Sequence, residues 1–444
     1  MYRFLYASLK LTLPYTLRVY FPRNVTIGAP KEILGSTIYV SNHAAAFMDP
    51  LVVANFRNPI VFFMTRSDIF TPLTKPVLWA AHMFPIYRQH DGGPTKDRNE
   101  VVFKKCARIL KNGRNMLIFG EGFTDDTFVR RLKPVKKGAA RMGFIALEET
   151  NWEKDIFISA VGVNYSDPNE MRSDVLVSGG KKIRLNDYRQ IYLENPNKAI
   201  THITRRIERD LRNQLTHVED INMCTFHENV MKITRQGMNA RCSDTSLSLI
   251  GRWKYSQNLA QWFNRVVRED NEPLMELKKE LEGYFKLQNK LKVDEKYFFP
   301  YMTKPSVAKE WLFLITMFPF MLLGLFHCGL IYWGVKKFVE KSFKRRVFHG
   351  SVKLLFAKIL MGFINIPIVY AMHHLLFKHL DVYHGWMAFV YYAAIGLFGL
   401  ASYMWFRNLH ALKEKLKYKK MNLKGLWEKR QSLYDKIKQL IPVA

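Results

Sequence analysis

Two long segments near the C-terminus contain no charged residue, and they constrain the fold more than any other feature of the chain. Residues 311–335 and 386–406 are 25 and 21 residues long and lack Asp, Glu, Lys and Arg. At 1.5 Å per residue the first would form a helix of about 37 Å, which is long enough to cross a bilayer. Residues 359–377 form a third, less apolar stretch. We therefore predict a membrane region, 306–406, with two or three apolar segments.

The charges that flank these segments predict how the region is oriented. The loop 336–353 has seven basic residues and one acidic residue, and the tail 407–444 has eleven basic and three acidic residues. The link 378–385 has only one of each. Because basic loops stay in the cytoplasm, the loop and the basic tail are expected there and the link outside. The second and third segments then form a hairpin, and a cytoplasmic N-terminal domain requires 311–335 to be re-entrant. The alternative is a third span that breaks this rule.

The net charge predicts an anionic partner. The 444 residues include 68 Lys and Arg against 38 Asp and Glu, which gives +30. Nucleic acid, a membrane surface and an acidic protein all fit such an excess. The sequence has no recognisable nucleic-acid-binding motif, and much of the charge flanks the apolar segments. The expected partners are therefore membrane lipids and an anionic bilayer surface, and no nucleic acid.

The first 30 residues are apolar and aromatic, but Arg3, Lys10 and Arg18 interrupt them. An N-terminal interfacial helix, with its basic side chains reaching toward lipid headgroups, fits this pattern. An ordinary packed helix fits it equally well.

Residues 31–218 alternate between short β-rich runs and helical patterns. The predicted strands are 37–41, 60–65, 116–119 and 156–163, and the predicted helices are 47–57, 75–83, 99–112 and 137–150. This alternation predicts an α/β domain with a largely parallel sheet, whose functional residues lie near the strand ends. Residues 219–305 are predicted to be a helical connector, and we read no motif in them.

The first strand is followed by a possible general base. His43 comes directly after it, and Asp49 follows a short way downstream. Histidine titrates near neutrality, and a carboxylate on its second ring nitrogen fixes the tautomer and raises its basicity. A helix cap or a core histidine is the alternative.

Two later segments have the composition of an anion-binding site. Arg88 follows a β run and could clamp a phosphate, although a surface arginine is the simpler interpretation. Gly120, Glu121 and Gly122 predict a tight loop after a buried strand, where backbone N–H groups can approach a ligand. A plain strand-to-loop turn fits these residues equally well. Five basic residues then precede a helix that begins near Gly138: Arg130, Arg131, Lys133, Lys136 and Lys137. They could bind a phosphate at the helix N-terminus, or they could form a solvated basic face.

Taken together, these motifs resemble the glycerolipid acyltransferase family, the glycerol-3-phosphate and 1-acylglycerol-3-phosphate O-acyltransferases. The resemblance covers about residues 1–215. Its four motifs are matched, in order, by Asn42, His43 and Asp49; by Ile86, Tyr87 and Arg88; by Phe119 to Thr124; and by Ser159 to Gly162. The spacer between His43 and Asp49 has five residues where the family usually has four. Gly120 and Ala160 stand where the family usually has proline.

The resemblance implies an acyltransferase domain at 31–218, with a mixed sheet flanked by helices. It implies acyl transfer from an acyl thioester of coenzyme A or acyl carrier protein to a glycerol-phosphate or lysophosphatidate hydroxyl. His43 and Asp49 would be catalytic, and the substrate would be bound by Asn42, Arg88, Glu121, Gly122, Thr124, Lys133 and Lys137. No metal or bound cofactor is expected, and the four scattered cysteines lack metal-ligand spacing. The alternatives are another lysolipid or aminolipid acceptor, or a catalytically inactive membrane scaffold.

Overall fold

The computed structural model describes residues 2–28, 36–56, 61–72, 74–87, 95–239, 242–266, 271–380 and 384–442. The chain forms two compact units. One comprises residues 1–227, 236–240 and 244–270, and the other comprises 228–235, 241–243 and 271–444. The α/β domain lies in the first unit and the apolar segments lie in the second.

The described part of the first unit contains one sheet of eight strands. They are β1 (Arg23–Ile27), β2 (Ser36–Ser41), β3 (Val61–Arg66), β4 (Met83–Ile86), β5 (Asn115–Phe119), β6 (Ile156–Tyr165), β7 (Asp174–Gly179) and β8 (Ile183–Arg184). The order is β1-β7-β6-β2-β5-β3-β4, and β8 also pairs with β6. Strand β6 is antiparallel to β7 and β8, and the other pairs are parallel. The predicted mixed α/β sheet is therefore confirmed.

Helices flank this sheet. They are α1 (Tyr2–Tyr20), α2 (Met48–Phe56), α3 (Lys75–Ala80), α4 (Thr95–Lys111), α5 (Gly138–Glu148), α6 (Arg189–Glu194), α7 (Pro196–Gln214), α8 (Ile221–Thr234) and α9 (Leu249–Val266). The main core lies between the sheet and α4, α5 and α7, where alternate residues of the strands, such as Ile38 and Val40, are fully buried. Helix α9 packs against β1 and β7 through Leu176 and Trp253.

All four predicted strands are present, but four others were not predicted. Strand β1 lies within the first 30 residues, where the sequence predicts only a helix, and it pairs with β7. Strands β4 and β8 have four and two residues, which is too short for an alternating pattern to be recognised.

The described residues of the second unit form helices joined by short loops, with no strand. Its helices are α10 (Glu272–Lys290), α11 (Glu295–Thr303), α12 (Ala308–Thr316), α13 (Phe318–Gly324), α14 (Leu330–Ser342), α15 (His349–Leu375), α16 (Trp386–Tyr418) and α17 (Lys424–Leu440), with a π turn at Leu325–Gly329. A buried ion pair joins α11 to α17, with Arg430 Nε 2.6 Å from Glu295 Oε1. Tyr284 of α10 donates a hydrogen bond to the second oxygen of Glu295 over 2.9 Å.

Three helices among the described residues are long and apolar enough to cross a membrane. We call Phe318–Ser342, Arg346–Leu375 and Trp386–Tyr418 the first, middle and third apolar helices. They match the three segments predicted from the sequence and indicate membrane association. The first and third approach each other closely, because a Cβ on Gly324 would lie 2.0 Å from the carbonyl oxygen of Phe398.

We predict that Gly324→Ala destabilises the second unit. The added methyl group would meet backbone, so the two helices must separate, and overpacking of this kind costs about 1–3 kcal/mol. Gly334→Ala is the matched control, since a Cβ on that glycine meets nothing within 4 Å. Thermal unfolding in detergent should show a lower midpoint for Gly324→Ala only. Equal midpoints for the two variants would contradict the close approach.

Candidate active site

The site forms where two neighbouring parallel strands end. Ser41 of β2 is in register with Phe119 of β5, so the segments that follow them leave the sheet at the same edge. The N–H of Gly120 donates to the carbonyl oxygen of Ser41 over 2.9 Å. Proline has no N–H, so the glycine at this position adds one hydrogen bond that the family's usual proline could not make.

The structure brings His43 and Asp49 together. His43 Nδ1 lies 2.9 Å from Asp49 Oδ2, although the spacer between them has one residue more than is usual in the family. The additional length is taken up in a tight turn, where Ala46 adopts the left-handed region with φ of 48° and Met48 N–H donates to the carbonyl oxygen of Ala45. Asp49 lies in the first turn of α2, which fixes its position relative to the strand end.

Asp49 is fully buried and accepts hydrogen bonds from three groups. His43 and the N–H of Ala45 contact Oδ2, the latter over 2.8 Å, and the hydroxyl of Tyr165 donates to Oδ1 over 2.9 Å. Burial, followed by the charge of Asp49, raises the pKa of Tyr165 well above its usual value, so its hydroxyl remains a donor. Tyr165 was not among the predicted site residues.

Tyr165 ends β6 and is held on several sides. Its ring lies 5.7 Å from Phe21 and 6.4 Å from Phe128, and its carbonyl oxygen accepts a hydrogen bond from Arg130. One relevant signal is visible in the sequence, the polar pair Asn164 and Tyr165 just after the fourth motif. It did not indicate that this strand, longer than predicted, would reach Asp49.

The imidazole of His43 is positioned by its neighbours and remains accessible. It stacks on Phe119 with ring centres 4.2 Å apart, and 22% of the side chain is exposed. Since a carboxylate faces Nδ1, the proton of the neutral ring belongs on Nδ1. This leaves the lone pair of Nε2 able to accept a proton from a substrate.

Glu121 binds the segment that carries His43. One carboxylate oxygen accepts the N–H of His43 over 2.7 Å, and the other accepts the N–H of Lys133 over 3.3 Å. Burial raises the pKa of Glu121, while the hydrogen bond from His43 and the charge of Lys133 act in the opposite direction. Both oxygens thus contact the protein itself, which makes Glu121 a positioning residue as well as a predicted substrate contact.

The rest of the third motif forms a compact loop. Gly122 has φ of 75°, which favours glycine, and Thr124 is buried. The Lys133 ammonium lies 2.9 Å from Asp125 Oδ2 and 4.3 Å from the centre of the exposed Phe123 ring. Lys133 is therefore held by the loop, whereas Lys136 and Lys137 are exposed immediately before α5.

Three other predicted residues have distinct positions. Both ends of the Asn42 amide bind the backbone of Val163, over 2.8 and 3.1 Å, so its contact is structural. Arg130 of the basic cluster is buried against backbone carbonyls rather than exposed to a ligand. Arg88 lies outside the described residues, which reach Tyr87 on this side. Within the described residues, no group of three or more His, Cys, Asp or Glu is placed to hold a metal ion.

Comparison with known proteins agrees with this geometry. A family model described as Acyltransferase matches residues 19–159, from the end of α1 into β6, and includes His43, Asp49 and Glu121. A search of curated proteins gives no match. The matched residues form most of the sheet and carry the paired His43 and Asp49 at its edge. Residues 19–159 therefore match the glycerolipid acyltransferase family.

Proposed function

We propose that the protein is a membrane-bound O-acyltransferase of phospholipid biosynthesis, which transfers a fatty acyl group from an acyl thioester to a glycerol-phosphate or lysophosphatidate hydroxyl. The hydrogen-bonded pair of His43 and Asp49, with 22% of the His43 side chain exposed, is the observation that carries this proposal. The acyltransferase family match supports it.

The chemistry follows from this pair. Nε2 of His43 removes the proton of the acceptor hydroxyl as its oxygen attacks the thioester carbonyl. The new C–O bond forms, the C–S bond breaks, and the proton passes from the imidazole to the departing thiolate. Asp49 orients the ring and stabilises its charged form, so the reaction needs neither a nucleophilic side chain nor a metal.

The surrounding basic residues suit a phosphate-bearing acceptor. Lys136 and Lys137 are exposed at the N-terminus of α5, beside the loop of Gly122, and the partial positive charge of a helix N-terminus favours anions. Arg88 and Lys133 complete the expected basic set, and Thr124 belongs to the same loop. Asn42 and Glu121 contribute by holding the strand end and the His43 segment in place.

We also propose that the protein resides in a membrane with the acyltransferase domain facing the cytoplasm, where it meets acyl-coenzyme A or acyl carrier protein. The three apolar helices support the insertion. The net charge of the tail, eleven basic against three acidic residues, supports the cytoplasmic side. Helix α1 suits either of its two predicted roles, because Leu17 and Tyr20 are buried while Leu11 and Tyr15 are exposed.

We predict that His43→Ala lowers kcat by about 10²–10⁴-fold, because general base catalysis typically contributes that much. Release of free thiol from an acyl thioester, in the presence of acceptor, measures this directly. His202→Ala is the control, since that histidine is exposed on α7 of the same domain. Unchanged turnover in a folded His43→Ala protein would refute the assignment of the base.

Tyr165→Phe is predicted to lower kcat about tenfold and to leave both KM values nearly unchanged. The variant keeps the buried ring but removes the hydrogen bond to Asp49, and a hydrogen bond to a charged group contributes about 1.5–3 kcal/mol. Tyr192→Phe is the control, because that hydroxyl donates to Glu148 rather than to the site. Equal kcat in the two variants would show that Tyr165 serves packing alone.

Arg88→Ala is predicted to raise the KM for the acceptor about tenfold while the KM for the donor changes little, since a lost arginine–phosphate contact weakens acceptor binding. Arg205→Ala, at an exposed position of α7, controls for the loss of positive charge. If both variants keep the acceptor KM of the wild type, Arg88 is a surface residue.

A further inference from the structure

We propose that the first and third apolar helices cross the bilayer as an antiparallel pair, and that the chain between them, which includes the middle apolar helix, enters from the far face and returns to it. Here the near face is the one that carries α10, α11 and α17. The inference rests on the membrane insertion proposed above and specifies the surface that the second unit presents to lipid.

The segments just before and just after the three helices lie on the same face, because they bind each other. The buried ion pair joins Glu295 of α11 to Arg430 of α17 over 2.6 Å. Lys436 of α17 contacts Glu280 of α10 over the same distance. Such contacts cannot form across a hydrocarbon layer of about 30 Å. The chain therefore enters and leaves the bilayer on one face, and three complete crossings are excluded.

The first and third helices, with α12 leading into the first, reach the same depth. The residue numbers of the contacts rise along α12 and the first helix while they fall along the third helix, so the two run antiparallel. From the near face inward, Asn408 and Trp405 of the third helix donate to the carbonyl oxygens of Glu310 and Leu314, over 2.9 and 2.8 Å. Further in, Ser402 donates to the carbonyl oxygen of Met321 over 2.6 Å. The hydroxyl of Tyr391 then lies 2.8 Å from His327 Nε2. The 17-residue rise from Glu310 to His327 is about 26 Å of helix, close to the hydrocarbon thickness. The two helices therefore cross together.

Tryptophans mark the same two levels on both helices. In this register Trp311 lies near the level of Trp405, and Trp333 lies near the level of Trp386. Trp311, Trp333 and Trp386 are each about half exposed or more, as lipid-facing side chains would be. Tryptophan concentrates at membrane–water interfaces, so the paired positions indicate where the two faces lie.

The middle helix begins beside the far end of the first. Lys353 binds Glu340 over 2.6 Å, and the ring of Phe356 lies 5.7 Å from that of Phe338. Further along, Asn365 Oδ1 accepts from His327 Nδ1 over 2.6 Å, at the same level as the His327–Tyr391 contact. The middle helix ends at Leu375. The third helix starts eleven residues later, at Trp386, which lies at the far-face level. The chain between the first and third helices therefore begins and ends on the far face.

The buried contacts of His327 hold the middle helix at this depth. The imidazole is 1% exposed and is bound by Asn365 of the middle helix and Tyr391 of the third. A polar group inside a membrane protein is expensive to leave unpaired, so this three-helix contact opposes deeper or shallower insertion. The hydroxyl of Tyr392 adds a second link, to the carbonyl oxygen of Gly362 over 2.8 Å.

This arrangement differs from the one expected from charge. The flanking charges placed the loop 336–353 and the tail on one face and made 311–335 re-entrant. The contacts instead place that loop on the far face, where the third helix starts, and the tail on the near face. Charge could not reveal this, because both the loop and the tail are basic and only the pairing of helices distinguishes their faces.

Labelling of single cysteines in sealed vesicles tests the topology. The positions are exposed residues before, between and after the helices, replaced as Lys290→Cys, Lys341→Cys, His384→Cys and Lys420→Cys in the full chain. Three native cysteines are buried, and Cys224→Ser removes the half-buried one from the background. A membrane-impermeant maleimide is applied to vesicles of each orientation, and detergent-permeabilised vesicles show that every site can react.

The proposal expects positions 290 and 420 to react from one side, and 341 and 384 from the other. Labelling of 341 from the side of 420, labelling of 341 and 384 from opposite sides, or labelling of all four from one side would each overturn it. Release of the wild-type chain by high salt without detergent would instead contradict the membrane insertion on which the inference rests. Acyl transfer by the unlabelled protein is measured in the same vesicles, so that loss of function is recognised separately.

Discussion

The buried carboxylate of Asp49 is the group on which the arrangement of the site depends. It accepts hydrogen bonds from a side chain after β2, from the backbone of the following turn and from Tyr165 at the end of β6. Leaving such a carboxylate unpartnered would be costly, so its burial requires these three segments to converge. The convergence fixes the ring of His43, and with it the nitrogen that would accept the proton in the proposed reaction.

The sheet supplies the second requirement, which is that β2, β5 and β6 end near one another. Parallel pairing of β2 with both neighbours brings the first and third motifs to one edge, although 78 residues separate His43 from Glu121. Glu121 then joins the two motifs directly through the N–H of His43. The geometry of the proposed site therefore depends first on strand register, and the loops complete it.

Much of this could be predicted from the sequence. Alternating apolar patterns identified the four central strands, and residue types after β2 and β5 identified His43, Asp49 and Glu121. The edge strands were missed because they are short or lie beside a stronger helical pattern, as β1 does. Tyr165 was missed because its role depends on a contact with Asp49 across 116 positions, which no local pattern encodes.

In the apolar region, too, the sequence predicted the elements but not how they pair. Length and lack of charge identified all three helices, and composition alone was sufficient for that. Their pairing depends on Gly324 and Gly399, which allow close approach, and on backbone carbonyls that accept from Ser402 and Trp405. These are specific contacts between distant positions, so a charge rule applied segment by segment did not detect them.

The central claim is that an acceptor hydroxyl, activated by His43, attacks the acyl thioester directly. Mass spectrometry of the products formed by purified protein, with acyl-coenzyme A and an acceptor carrying ¹⁸O in its hydroxyl, tests this claim most directly. Glycerol-3-phosphate and lysophosphatidate are supplied separately. The account predicts an ester that retains the ¹⁸O and forms in an amount equal to the released thiol. At least one of these two acceptors should be a substrate. Thiol release that yields free fatty acid whether or not an acceptor is present, or no release at all, would contradict it.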